Sequence, residues 1–254
     1  MKPKIAIPVP HSHKLEYAER ALPQYVYAIE KSGGEAVVIA LEQDSADLAR
    51  QLATCDAALL PGSEADLDPQ KYDAQRHPNT ADSDPLRDAA DELLLQDAHN
   101  LRKPIFGICY GLQSLNVWRT GTLVQDIASE LHSPINHSAG RTVVRAHRVR
   151  IDPFSGLART LHRDPEIGSQ LQERAQGLHS FDMDVNSSHH QAAAVIGDGL
   201  RISARCPDDN VVEALEGTAP GHFVIAVQWH PERSYDDDAL SRALFRAFVN
   251  AARK

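Results

Sequence analysis

Two short segments carry residue types that could do chemistry together. In the first, Phe106-Gly107-Ile108-Cys109-Tyr110-Gly111-Leu112-Gln113, an apolar run ends in Gly-x-Cys-x-Gly and a helical pattern through Leu112 and Leu115 follows at once. Glycines two residues either side relieve crowding where a strand turns sharply into a helix, and they leave the central side chain at the tip of the turn. A cysteine there sits against the unpaired N–H groups of a helix's first turn, with the N–H of Tyr110 aimed where an oxyanion would form. Alone, the pattern leaves an even choice between a nucleophile and a small buried residue closing a strand. The second segment, Val227-Gln228-Trp229-His230-Pro231-Glu232, ends an apolar run that starts at Phe223. Pro231 restrains His230 to an extended conformation, and side chains two apart in an extended chain point the same way, so Glu232 reaches the side of His230. Alone, this reads equally well as a surface turn. Together the segments supply a thiol nucleophile, an imidazole base and a carboxylate to orient it.

The remaining candidates are weaker. His11 and His13 form a potential metal pair with no acidic or cysteine cluster to complete it, so a solvent-facing loop is expected there. His189-His190 invites the same idea. Cys55 and Cys206 read as core residues. Arg119, Arg141 and Arg205 are possible partners for a substrate carboxylate, each weighed against a solvated surface charge.

The elements that must position the two segments follow from periodicity. Strands are expected at Lys4 to Val9, Glu35 to Leu41, Asp56 to Leu60 and Pro104 to Ile108. A helix opened by Pro23 and closed by Gly33-Gly34, a second at Asp44 to Ala53 and a third from Asp84-Pro85 separate them. Leu86, Ala90, Leu93, Leu94 and Leu101 mark the buried face of the third. This βαβαβ rhythm implies a parallel sheet with helices on both faces. The polar stretch Ser63 to Ser83 is long for a structureless connection, a common sign of a functional loop. In the second half, strands at Thr142 to Ile151, Gly199 to Arg205, Val211 to Glu216 and Phe223 to Trp229 have short connections, which points to antiparallel additions. A final helix from about Asp236 buries Leu240, Leu244, Ala247, Phe248 and Ala251. No repeat or linker interrupts the 254 residues, so one domain spanning 1–254 is expected.

Bulk properties narrow the class. With 42% hydrophobic and 24% charged residues the chain has the composition of a globular enzyme. A net charge of −9 without a lysine-rich block argues against nucleic acid or an anionic membrane as partner, and an anionic substrate would need a local cluster of cations. Three cysteines do not suggest a disulfide framework, and the N-terminus lacks the pattern of a secretory signal, so a cytoplasmic location is expected.

GICYGLQSLNV followed by GTLVQDI, then NSSHHQ and VQWHPE, resembles the class I glutamine amidotransferase superfamily, and within it the γ-glutamyl-γ-aminobutyrate hydrolase branch of peptidase C26 type. The resemblance runs from the first strand to Glu232. It implies an α/β, flavodoxin-like three-layer sandwich with a mainly parallel central sheet, and a triad of Cys109, His230 and Glu232. It also implies an oxyanion hole of the Tyr110 amide with Gly62 or Ser63, in the loop Leu59-Leu60-Pro61-Gly62-Ser63. Ser63 stands where the family usually has a second glycine, and Tyr110 where the branch commonly has arginine. Gln113, Ser188, His189 and His190 match positions that contact the glutamyl head. The implied reaction is hydrolysis of a small-molecule γ-glutamyl amide through a thioester, with no cofactor and no metal, and a homodimer is compatible with such folds. A glutaminase subunit feeding ammonia to a synthetase partner would use the same residues, and a non-catalytic binding module would keep the fold without them. Flavodoxin-like stress-response proteins with a cysteine elbow lack the His-Pro-Glu strand end.

Overall fold

The computed structural model describes residues 1–168 and 181–253. Strands β1 (Lys4–Pro8), β2 (Glu35–Ile39), β3 (Ala57–Leu60) and β4 (Ile105–Ile108) alternate with helices α1 (Leu15–Lys31), α2 (Ser45–Leu52) and α3 (Pro85–Asn100). After α4 (Tyr110–Trp118) come β5 (Leu123–Val124), α5 (Ile127–Glu130), β6 (His147–Ile151) and α6 (Gly156–His162). The chain continues through β7 (Phe181–Val185), β8 (Ala192–Ala193), β9 (Leu200–Arg205), β10 (Val212–Gly217) and β11 (Val224–Val227), and α7 (Ala239–Ala251) closes it. One nine-stranded sheet runs in the order β2-β1-β3-β4-β11-β10-β9-β6-β7, and β5 pairs with β8 apart from it. The first five of these strands are mutually parallel, and β10, β9, β6 and β7 extend the sheet antiparallel. This is the mixed α/β, flavodoxin-like arrangement expected from the sequence.

Alternation along the parallel strands builds two cores. Ile5, Ile7, Leu59, Phe106, Ile108 and Val227 face one way, onto α1 and α7, while Ala6, Ala58, Leu60 and Ile105 face the other, onto α2, α3 and α4. Phe106 is met edge-on by Phe245 of α7 at 5.4 Å between ring centroids, and burial of one such ring contributes roughly 1.5–3 kcal/mol.

Several boundaries differ from expectation. Helix α1 begins at Leu15 and carries Pro23 inside it. The stripe Tyr17, Ala18, Ala21, Tyr25, Ala28 and Ile29 buries against the sheet, and that burial outweighs the hydrogen bond Pro23 cannot donate. The buried face of α3 is Arg87, Ala90, Asp91, Leu94, Leu95 and Ala98, whereas Leu86 and Leu101 are exposed. Charged residues hold that face because Arg87 Nε donates to Asp91 at 2.8 Å with both side chains wholly enclosed. In α7 the stripe gains Ala243, Phe245 and Val249, and Ala251 is exposed. Residues 142–146 lie outside β6, and β7 and α6 carry no strong pattern of their own.

Asp84 starts α3 as the sequence suggests, accepting from the Arg87 amide at 3.2 Å, and it also accepts from the Ser12 amide and hydroxyl at 2.6 and 2.7 Å. His11 therefore does not face solvent: it is buried, with Nδ1 3.0 Å from Asp84. Burial alone would raise the Asp84 carboxyl, but the Ser12 and Arg87 donors overcome it and hold it below its usual value. A carboxyl depressed on folding stabilises above its unfolded value and loses that contribution as pH falls through the folded one. Asp84→Asn is therefore expected to cost on the order of 1 kcal/mol at neutral pH, with the gap to wild type closing below about pH 4. Urea denaturation of both proteins across that range measures it.

Candidate active site

The site lies where β3, β4 and β11 end at their carboxyl edge, the place where open parallel sheets gather ligands. Strand β4 stops at Ile108 and α4 begins at Tyr110, so Cys109 makes the whole turn, at φ 53° and ψ −105°. A non-glycine residue in that region is strained by about 1–3 kcal/mol, and neighbours must fix it there. The Cys109 amide donates to Val227 of β11 at 2.8 Å, which anchors the turn to the sheet. The flanking glycines act through close approach. A Cβ on Gly111 would stand 2.2 Å from the Leu60 carbonyl oxygen, and one on Gly107 would stand 2.8 Å from that of Gly111. The elbow fits only because both lack side chains. Cys109 is 6% exposed, at the floor of a cleft and not on an open surface.

His230 and Glu232 follow β11. Pro231–Ser234 forms a 3-10 turn, so the extended geometry expected across His-Pro-Glu is replaced by a tighter one that still brings the two side chains together. His230 Nδ1 lies 2.8 Å from Glu232 Oε1, and both side chains are about 2% exposed. Asn186 clamps the backbone of His230 reciprocally: its side chain accepts from the His230 amide and donates to the His230 carbonyl, each at 2.8 Å. Cys109 lies close enough to the imidazole to influence it. Burial pulls His230 downward, but the Glu232 charge and the Cys109 sulfur more than offset it and leave the imidazole more basic than usual. Burial pushes Glu232 up, and His230 overcomes that, so the carboxylate lies below its ordinary range. Arg233 Nη2 donates to His230 Nε2 at 3.2 Å and Arg233 Nη1 to Ser188 Oγ at 2.8 Å.

The cleft has a volume of about 270 Å³ and is bordered by Lys14, Ser63, Glu64, Asp66, Gln113 and the Ser188–Gln191 segment. As the first amide of α4, Tyr110 N–H has no carbonyl one turn back to bond. The amide of Gly62 is taken: it donates to the Tyr25 hydroxyl at 3.0 Å, which leaves Ser63 as the available donor of that loop. Gly62 is needed for space, since a Cβ there would lie 2.9 Å from His230 Cε1. Ser63 does not adopt positive φ, so serine in place of glycine is unstrained, and its hydroxyl accepts from the Ala65 amide at 3.1 Å. The Tyr110 ring points away from the cleft, into the α3–α4 interface, where its hydroxyl donates to Asp88 and Arg87 lies over its face.

Gln113 is buried beneath the cleft, donating to the Gln191 carbonyl at 3.2 Å and to Gln228 at 3.3 Å. His190 borders the cleft between Asp66 and Asp126, at 3.0 and 3.6 Å. His189 does not present its ring there: the side chain is 2% exposed and turns inward toward His137, His147 and Glu213. Of the three arginines considered for a substrate carboxylate, Arg141 stands close enough to Arg20 and Arg233 to feel their charge, whereas Arg119 and Arg205 hold backbone carbonyls at Asp198 and Asn210. Cys55 and Cys206 are buried core residues, and burial pushes the Cys206 thiol up to about 12.

Sequence reasoning missed Arg87. Its guanidinium donates to the carbonyls of Pro10 at 2.9 Å and Pro61 at 2.6 Å, fixing the peptide that enters Gly62. Nothing in the helical pattern separates this arginine from a surface one. Arg87→Met leaves Asp91 charged and unpaired in the interior, and a loss of roughly 3–5 kcal/mol is expected by chemical denaturation. Removing Asp91 as well should recover much of it.

Comparison with known proteins bears on the family and the fold. A peptidase C26 family model matches residues 6–232. The γ-glutamyl-γ-aminobutyrate hydrolase PuuD of Escherichia coli K12 is 32% identical over 236 residues, covering 90% of this chain and 84% of the relative. A Mycobacterium tuberculosis protein provisionally assigned as a glutamine amidotransferase is 38% identical over 231 residues, 90% of this chain and 66% of its own length. Among solved structures, a Thermoplasma acidophilum protein provisionally assigned as one subunit of GMP synthase superposes with a TM-score of 0.59 at 13% identity, covering 99% of this chain and 94% of that one, which speaks to the fold alone. With the matched region spanning the elbow, the cleft and the His-Pro-Glu turn, the chain belongs to the peptidase C26 family of glutamine amidotransferase-like hydrolases.

Proposed function

We propose that this hydrolase cleaves the amide bond of a small γ-glutamyl amine, such as γ-glutamyl-γ-aminobutyrate, by two-step acyl transfer on Cys109. The observation that carries the reading is the strained Cys109 elbow at the cleft, beside a buried, Glu232-bonded His230. Cys109 gives its proton to His230 Nε2 as the sulfur attacks the γ-carbonyl carbon. The oxyanion is received by the amides of Tyr110 and Ser63. As the tetrahedral adduct collapses, His230 returns the proton to the leaving nitrogen and the amine departs. Water, deprotonated by His230, then cleaves the γ-glutamyl thioester, releasing glutamate and restoring the thiol.

The cleft's lining supports a zwitterionic head, since Lys14, which pairs with Glu64, and Asp66 both border it. The volume suits a small molecule. Arg233, bonded to Ser188, and Arg20, beside Glu64, adjoin residues that border the cleft, and Arg141 feels the charge of both, a local attraction of the kind an acidic chain would need for an amine half bearing a carboxylate. Glutamate release should therefore be faster from γ-glutamyl-γ-aminobutyrate than from a γ-glutamyl alkylamine of equal length without the carboxylate, with the difference reduced at high salt. Equal turnover of both would overturn the carboxylate preference, and glutaminase activity appearing only with an added synthetase would overturn the hydrolase reading.

A further inference from the structure

Behind the cleft, His137 from the loop after α5, His147 of β6, His189 and Glu213 of β10 bring one atom each to a common point in the interior, all within 4.8 Å of one another. Their side chains are 0–2% exposed. Each imidazole has its outer nitrogen engaged by an oxygen that only accepts. His137 Nε2 lies 2.8 Å from Asp209, His147 Nδ1 3.1 Å from the Arg148 carbonyl, and His189 Nδ1 2.9 Å from the Gln191 carbonyl. In a neutral imidazole the single proton is therefore outward, and the lone pairs of His137 Nδ1, His147 Nε2 and His189 Nε2 face inward. Among the described residues none of the three has a hydrogen-bond partner, and neither oxygen of Glu213 has one. Among the described residues no lysine or arginine pairs with Glu213. Four acceptors and a full negative charge thus converge in a space sealed from solvent, an arrangement that costs several kcal/mol unless a cation compensates it.

We propose that this cluster is a structural divalent-metal site, best suited to Zn²⁺, with His137, His147, His189 and Glu213 as its four ligands. The distances fit. Glu213 Oε1 lies 3.3, 3.4 and 3.8 Å from the inward nitrogens of His137, His147 and His189. A tetrahedral zinc with bonds of about 2.0–2.1 Å requires ligand atoms roughly 3.3–3.4 Å apart. Three imidazoles and one carboxylate suit zinc better than magnesium or calcium, which prefer oxygen. Outer N–H groups held by a carboxylate and two carbonyls are the supporting shell such a site uses to aim its ligands. Four protein ligands in a sealed space leave no position open to substrate, so the metal ties the loop of His137, β6 and β10 to the Ser188–Gln191 wall of the cleft.

Elemental analysis of the purified full chain, carried out in a Cys109→Ala background to exclude metal on that thiol, tests this. About one zinc per chain is expected, as is a fall in Tm on stripping with a chelator. Zn²⁺ should restore the Tm and Mg²⁺ should not. Co²⁺ added to the stripped protein should give the intense visible absorption of tetrahedral coordination without sulfur-to-metal charge transfer. Glu213→Gln and His147→Asn should each lose the metal. Absence of zinc, with neither Zn²⁺ nor Co²⁺ changing Tm or spectrum, would overturn the proposal in favour of a cluster balanced by protons. Metal retained by both variants would overturn it as well, because the ion would then lie elsewhere.

Discussion

Cys109→Ala is expected to lower kcat by on the order of 10⁴-fold or more while leaving Tm close to that of wild type. The sulfur is the atom of the cleft best placed to attack: it stands at the apex of the β4–α4 turn, beside His230 and below the cleft. Removing a single buried atom from a site open to the cleft leaves little void, and the positive φ strains alanine no more than cysteine. Residual rate would come from binding and the oxyanion donors alone. Steady-state glutamate release, with circular dichroism to confirm folding, separates loss of chemistry from loss of structure. Cys109→Ser, with an oxygen too weakly acidic for His230 to activate well, should behave nearly as poorly.

Glu232→Gln has the second largest expected effect, a drop in kcat on the order of 10³–10⁴-fold. Glu232 accepts the Nδ1 proton of His230, which leaves Nε2 unprotonated; in the resting structure Nε2 accepts from Arg233, and it exchanges that donor for the Cys109 thiol to act as base. A glutamine amide can instead donate to Nδ1, reversing the tautomer and presenting Cys109 with an N–H that cannot take its proton. The variant also leaves the imidazolium that forms during attack without its counter-charge, in a place sealed from water. The sign of the pH effect follows. Burial lowers His230 and the Glu232 charge is the main influence raising it, so removing that charge should move the His230 limb of the kcat/KM profile to lower pH. A mutation that merely loosened the fold would reduce amplitude without moving that limb.

What could be read in advance divides along physical lines. Gly107, Cys109 and Gly111 announced the elbow because steric crowding at a one-residue strand-to-helix turn permits few residue types. Order along the chain placed Cys109 just beyond β4 and His230 beyond β11, and parallel pairing of those strands, Ile108 opposite Val227, brings them together. Interior polar contacts were not legible. Arg87 with Asp91, the Tyr25 hydroxyl on the Gly62 amide and the Asn186 clamp on His230 each depend on a partner at least one helical turn and up to 44 residues away. The i,i+4 spacing of Arg87 and Asp91 does not tell an interior pair from a surface one, and no local periodicity reports the other two. The inward turn of His189 was hidden for the same reason: His189-His190 looks like one feature in sequence, yet the two rings face opposite surroundings. Pro23 shows the reverse error, a strong local signal overruled by burial of a 17-residue amphipathic helix.

The most direct test is rapid acid quench of the enzyme turning over γ-glutamyl-γ-aminobutyrate, followed by peptide mass analysis. A γ-glutamyl adduct is expected on the peptide containing Cys109, released by hydroxylamine as a thioester would be and absent from Cys109→Ala. Steady turnover that persists in Cys109→Ala, or an adduct carried by another residue, would contradict it.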